Sequence, residues 1–228
     1  MLMKGSTIGK PQTSIRCARN AGPKCTLVKI LIMILPDGWR GRLGDLGEEV
    51  SAWCAGRSWL VRAPLVLWFA WIGARHLADP LYSSLFGALN LGLHEAGHLL
   101  FSWFGLFLAV AGGTLLQLAA PLLSAAMFAR QPDWFALPIC GAWLATNLYD
   151  VSTYLGDARA MELPLVTVGG GEPVVAHDWN YLLGTVGLLP WDTFLAGGVR
   201  LAAFVVLWGS LAAAVWILVR MARARPEP

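Results

Sequence analysis

The longest uncharged segment of the chain runs from Ala96 to Ala129, where 34 consecutive residues include no Asp, Glu, Lys or Arg. A single helix of that length would extend for about 51 Å, whereas the hydrocarbon core of a bilayer is about 30 Å thick. The segment must therefore fold back on itself as two helices. Gly112 and Gly113 predict where the chain turns, because paired glycines permit the backbone angles of a tight reversal.

The composition also favours lipid as the solvent. Hydrophobic residues make up 57% of the 228 residues, charged residues only 14%, and the mean hydropathy is +0.58. A soluble domain is usually about 45–50% apolar and about 25% charged. The basic residues lie mostly in the two tails, where they favour contacts with anionic lipid headgroups. The sequence carries no nucleic-acid-binding motif, so we expect the lipid bilayer, and not a nucleic acid, as the partner surface.

The apolar segments predict an all-α, multi-pass membrane bundle of about five spans, with a three-helix core. The predicted spans are residues 58–78, 81–110, 114–129, 134–156 and 201–219, within an integral membrane domain of residues 58–228. Residues 1–57 are interpreted as a basic tail, partly disordered or interfacial. The first 62 residues carry ten Lys or Arg and four acids, and this positive charge favours a cytoplasmic location for the tail.

The sequence His94-Glu95-Ala96-Gly97-His98 follows the pattern H-E-x-x-H. On a helix this spacing places the two imidazoles one turn apart on one face, where they can hold one zinc ion. Glu95 then lies beside the metal as the base that takes a proton from water. Ionisable groups within an apolar stretch are costly and usually functional. The alternative interpretation is a buried polar cluster that only holds helices together.

Two other predicted helices carry polar faces that can close around such a site. The face on the fourth span comprises Asn147, Asp150, Tyr154 and Asp157, and the face on the third comprises Thr114, Gln117 and Ser124 together with Pro121. Two interpretations account equally well for the two amides, Gln117 and Asn147. They either form hydrogen bonds between helices or orient the substrate. For the aspartates we favour a functional role, because a carboxylate within a bilayer is costly and usually functional. His177 and Asp178 are weaker candidates, because a His-Asp pair in a wet surface loop needs no function.

The H-E-x-x-H motif in a membrane helix, the following Gly-Gly pair with the Gln117 helix, and an aspartate on a later helix together resemble the site-2 protease class. These are intramembrane zinc metalloproteases, and the likeness is to their small bacterial branch. The resemblance extends from Leu81 to Asp157, roughly a third of the chain. It implies His94 and His98 as zinc ligands and Glu95 as catalytic base, together with a distant aspartate ligand and a bacterial inner-membrane location.

The chain departs from that family in the aspartate segment. Well-known members have Asn-Pro shortly before Leu-Asp-Gly, whereas this chain has Asn147-Leu148-Tyr149-Asp150 and Gly156-Asp157-Ala158-Arg159. A catalytic zinc site needs a third protein ligand and keeps its fourth position for water. We predict Asp157 as that ligand, because it ends the polar face where water can enter. Asp150, which matches the depth of the histidines better, ranks second, and His177 ranks third.

Together these features predict an intramembrane zinc metallopeptidase that hydrolyses a peptide bond of a membrane protein or peptide substrate. Two alternatives remain open from the residues alone. The first is a zinc hydrolase acting on a lipid or another non-peptide bond. The second is a metal-binding scaffold or transport component without catalysis.

Overall fold

The computed structural model describes residues 37–163 and 175–224, and within these ranges the chain is helical without any strand. The described residues form seven α-helices: α1 (Asp37–Cys54), α2 (Ala63–Ala78), α3 (Phe86–Phe101), α4 (Leu106–Arg130), α5 (Ala136–Gly156), α6 (Asp178–Thr185) and α7 (Asp192–Arg223). Two short 3₁₀ turns cover Ser102–Phe104 and Leu189–Trp191. The chain forms two compact units, residues 1–48 and 49–228, and the packing and site described below belong to the second. The all-α prediction is confirmed for the described residues.

Two segments of the described chain are long and apolar enough to cross a membrane. They are α4, with 25 residues, and the 35-residue segment Leu189–Arg223 that contains α7. The helices α2 and α3 have 16 residues each, or about 24 Å, and are therefore shorter than a hydrocarbon core of about 30 Å. Length and composition thus support a membrane protein, and the number of five spans stays a prediction.

The turn predicted at Gly112-Gly113 lies instead at residues 102–105. The 3₁₀ turn Ser102–Phe104 is followed by Gly105, whose φ of 89° is a left-handed conformation that glycine adopts readily. Gly112 and Gly113 lie inside the continuous helix α4. Their small size serves close helix packing, because a Cβ on Gly112 would lie only 2.7 Å from the carbonyl oxygen of Gly97 in α3. The turn prediction was therefore wrong: the paired glycines permit contact between helices.

The apolar core lies largely between α5 and α7. The buried residues of α7 recur at steps of three or four positions, as expected for one face of a helix: Ala203, Leu207, Leu211, Ala214 and Ile217. They pack in one cluster with Ala142, Ala145 and Tyr149 of α5 and with Phe69 and Ile72 of α2. These contacts give the bundle an apolar interior, against which Phe86 at the start of α3 also packs.

Helix α3 runs alongside α5 in the same direction, and this sets the depth of the H-E-x-x-H motif. Asn90 donates a hydrogen bond to Asp150 of α5 at 2.6 Å, and one turn further along α3 the ring of His94 lies 6.1 Å from the ring of Tyr154. Tyr154 belongs to the last turn of α5, which ends at Gly156. The motif is thus level with the end of α5 and not with its middle.

Candidate metal centre

Three side chains from two distant parts of the chain converge at one point. The Nε2 atom of His94 lies 2.9 Å from Oδ2 of Asp178, and Nε2 of His98 lies 3.2 Å from the same oxygen. One potential ligand atom from each residue lies within 4.8 Å of the other two. The two imidazoles project from successive turns of α3, with ring centroids 4.6 Å apart and planes at 82°. Asp178 is the first residue of α6.

The hydrogen bonds of the other ring nitrogens determine which tautomer each histidine adopts. Nδ1 of His98 lies 2.9 Å from the carbonyl oxygen of Ala109, and Nδ1 of His94 lies 3.1 Å from Oε1 of Gln117. Both partners are acceptors, so each Nδ1 carries the proton and donates it. In the neutral form of each ring, Nε2 is then the unprotonated nitrogen, and in both histidines it faces Asp178. Outer hydrogen bonds of this kind orient the histidine ligands of metal sites.

Three acceptor atoms consequently face one another. Two imidazole lone pairs and one carboxylate oxygen repel each other unless a positive charge lies between them, either a metal ion or a proton on a ring nitrogen. Burial alone would raise the pKa of the Asp178 carboxyl, but in the absence of a metal a proton on Nε2 of His94 or His98 donates a hydrogen bond to it, which outweighs that effect and lowers the pKa to about 2. Asp178 is thus ionised at neutral pH, as a carboxylate ligand of a metal must be.

A glycine on α4 makes room for the two imidazoles. A Cβ built on Gly113 would lie 2.7 Å from Nε2 of His94 and 2.7 Å from Nε2 of His98, closer than real Cβ contacts permit. The neighbouring pair Gly97 and Gly112 brings the backbones of α3 and α4 together, since a Cβ on Gly97 would meet the carbonyl oxygen of Gly112. Gly97 is itself a variable position of the H-E-x-x-H motif, and the helix crossing explains why it is glycine here.

The structure does not bring Asp157, the predicted third ligand, to the two histidines. Its carboxylate accepts backbone N–H bonds from Glu162 at 3.0 Å and Leu163 at 3.1 Å, because the chain turns back directly after α5. Its Oδ2 lies 3.5 Å from Nε2 of His177. Asp178 takes the place beside the histidines that the sequence analysis gave to Asp157.

The second- and third-ranked ligand candidates are also engaged elsewhere. Asp150 accepts a hydrogen bond from Asn90, whose side-chain oxygen in turn accepts one from the indole of Trp143 at 3.1 Å. Nδ1 of His177 accepts the backbone N–H of Asn180 at 3.3 Å and so caps α6. Asn90 was missed by the sequence analysis, although it lies one turn before His94 on the same face of α3.

The remaining predicted site residues divide into two groups. Glu95 is half-buried on α3, where it interacts electrostatically with His98 and Tyr154. The hydroxyl of Tyr154 accepts the backbone N–H of Asp178 at 3.1 Å, and Gln117 contacts His94, so both belong to the site. Asn147 does not: it is fully buried and donates to the carbonyl oxygen of Trp143 at 3.0 Å.

Comparison of the chain with protein-family models, with curated proteins and with solved structures finds no significant match. The function is therefore argued from the side chains of the site.

Proposed function

We propose that this chain is an intramembrane zinc metallopeptidase in which His94, His98 and Asp178 hold the metal and Glu95 is the general base. The observation that carries the proposal is the convergence of two imidazole lone pairs on one ionised carboxylate, with Glu95 on the same helix. Asp178 replaces Asp157 as the proposed third ligand.

The donor set fits zinc. Two imidazole nitrogens and one carboxylate oxygen form a known ligand set of catalytic zinc sites, which leaves the fourth position for water. Bonds of about 2.0–2.1 Å in a tetrahedral arrangement separate neighbouring ligand atoms by about 3.3 Å. The distances of 2.9 and 3.2 Å from the Asp178 oxygen to the two nitrogens are close to that value. Small outward movements of these side chains would accommodate the ion.

Each protein group then has a defined task in peptide hydrolysis. A bound zinc ion would supply Lewis acidity, which lowers the pKa of a coordinated water to about 7 and polarises the scissile carbonyl. Glu95 takes a proton from the attacking water and passes it to the leaving nitrogen. Gln117 and the carbonyl group of Ala109 hold the two imidazoles in the required tautomer.

The surroundings of the site support a membrane location for this chemistry. The end of α3 and the following turn expose large apolar side chains, with Leu99 75% and Trp103 89% accessible. Such side chains are favoured where the neighbouring solvent is lipid. Because the site is level with the last turn of α5, water can reach it from that end of the bundle. As proposed, the five apolar segments cross a bacterial inner membrane and the substrate is a membrane protein.

The test combines metal analysis with an activity assay on the detergent-purified chain. We expect about one zinc ion per chain in the unmodified protein, its loss in His94→Ala and His98→Ala, and cleavage of a membrane-peptide substrate that Glu95→Gln abolishes. Zinc binding without hydrolysis of peptides would favour the scaffold alternative. Cleavage of a lipid ester in place of a peptide would favour the alternative of a non-peptide hydrolase. The absence of bound zinc would contradict both the metal site and the peptidase.

A further inference from the structure

Asp178 reaches the metal site from a short helix that is far from α3 along the chain. The sequence separation from His94 is 84 residues, and α6 itself has only eight. A metal ligand must be held to within about 0.5 Å of its working position. The contacts around the start of α6 therefore determine whether Asp178 can serve as a ligand.

His177, the residue before Asp178, adopts the opposite tautomer to that of the two site histidines. Its side chain is completely buried, and its Nδ1 accepts the backbone N–H of Asn180. The proton must then be on Nε2, which has no hydrogen-bond partner within standard limits. A carboxylate oxygen of Asp157 lies 3.5 Å from this atom, so an N–H donor and a carboxylate acceptor face each other inside the protein.

Asp157 is fixed independently of His177. Its two carboxylate oxygens accept the backbone N–H groups of Glu162 and Leu163, which holds the side chain at the end of α5. The attraction between Asp157 and His177 therefore ties the residue before the ligand to the end of α5.

Two further contacts fix the same segment from other directions. Asn180 donates a side-chain hydrogen bond to the carbonyl oxygen of Ala158 at 2.8 Å. The ring of Tyr154 lies 4.2 Å from the ring of His177, and its hydroxyl accepts the backbone N–H of Asp178. Apart from the contacts of the Asp178 carboxylate with the two site histidines, these polar contacts at the start of α6 all lead to the last turn of α5 or the residues just after it.

We propose that Asp157 and His177 form a clamp that positions Asp178 for metal binding, an inference that rests on the proposed metal site. Neither residue belongs to the proposed ligand set of His94, His98 and Asp178; both act through the backbone that carries Asp178. Asp157, which the sequence analysis predicted as a metal ligand, is in this proposal a residue that positions the ligand Asp178.

The experiment measures zinc affinity by competition with a chelator in Asp157→Asn and His177→Asn, with Thr185→Ala as control. Asparagine at position 177 still caps α6 through its side-chain oxygen but cannot interact with Asp157 as the imidazole does. Thr185 is exposed on the same helix and bonds only to the carbonyl oxygen of Tyr181. Loss of an outer partner typically weakens metal binding 10–100-fold. We expect that weakening in both variants and none in the control.

Cobalt substitution supplies a readout that a general loss of stability would not change. We expect the absorption bands of bound Co²⁺ to shift in both variants, because the carboxylate of Asp178 is held less well. The double variant should bind zinc no more weakly than the single variant with the lower affinity, since the two residues act as a pair. If one variant fails to fold by circular dichroism, the other decides the question.

Zinc affinity and cobalt spectra equal to those of the unmodified protein would overturn the clamp. Failure of the proposed function looks different: the unmodified chain would then hold no zinc, or would hold it independently of His94 and Asp178.

Discussion

The two faces of α5 carry helix contacts of opposite character. Toward α7, most contacts are between apolar side chains such as Leu207 and Tyr149, together with a buried hydrogen bond from Ser152 to the carbonyl oxygen of Ala196. Toward α3, the contacts are hydrogen bonds, among them Asn90 to Asp150. The adjoining contact of α3 with α4 depends on glycines that let backbone approach backbone. We infer that the first face supplies stability and that the second fixes the positions of charged groups.

The largest expected effect tests the polar side of this comparison. Glu95→Gln keeps the size of the side chain but removes the base, so we expect peptide hydrolysis to fall by about 10²–10⁴-fold. Zinc content and thermal stability should stay unchanged, because Glu95 is not one of the three ligand candidates. Activity and metal content are measured on the same preparation. A variant that cleaves at nearly the original rate would exclude Glu95 as the base.

The next effect belongs to the apolar side. Leu207 of α7 is completely buried against the neighbouring helices. Leu207→Ala should therefore reduce the free energy of unfolding by about 2–5 kcal/mol. Zinc affinity, measured in the folded range, should change little because the site lies on the other face of α5. Leu201→Ala, on the exposed side of α7, is the control. Equal losses of stability and zinc affinity in Leu207→Ala would show that the two regions are not separable.

A pair of glycine substitutions sharpens the contrast between backbone and side-chain contacts. Gly113→Ala would drive a methyl group against the Nε2 atoms of both site histidines, so we expect zinc affinity to fall by about 10–100-fold. Gly141→Ala, in the contact of α5 with α7, meets only the hydroxyl of Ser210, which can rotate away. That variant should retain zinc affinity. Titration with a competing chelator measures both, and an unaffected Gly113→Ala would contradict the geometry of the site.

The smallest expected effect concerns the hydrogen bonds one turn away from the site. Asn90→Ala leaves the carboxylate of Asp150 and the indole of Trp143 without their partner, which should cost about 1–3 kcal/mol of stability. Hydrolysis per bound zinc should change less than tenfold. Thermal unfolding and activity distinguish the two outcomes. A loss of activity as large as that of Glu95→Gln would place Asn90 within the reaction itself.

Local patterns predicted much of the helical structure but not the turn between α3 and α4. Apolar periodicity and length indicate helices well, and the fourth predicted segment, residues 134–156, corresponds closely to α5. The sequence alone does not show whether Gly112 and Gly113 reverse the chain or allow close packing of a neighbouring helix. Only the partner, Gly97 in this case, distinguishes the two roles, and the partner is a tertiary property.

Only the part of the site that lies on a single helix was predictable from the sequence. The spacing of His94 and His98 is set by one helix, so the motif alone anticipates their proximity. The third partner comes from a segment whose position depends on how the chain returns after α5. The polar face of α5 pointed to Asp157, but the turn after the helix directs that carboxylate to the backbone N–H groups of Glu162 and Leu163. Helical periodicity favoured Asp157 and could not indicate Asp178, which lies in a different helix after the chain returns.

The most direct test of the central claim is the zinc content of Asp178→Asn, measured by elemental analysis beside the unmodified protein. Asp150→Asn is the matched control, since it makes the same change in a carboxylate that bonds to Asn90 and lies outside the triad. We predict about one zinc ion per chain in the unmodified protein and in Asp150→Asn, and almost none in Asp178→Asn. A full zinc complement in Asp178→Asn would show that Asp178 is not a ligand and would contradict the metal site described here.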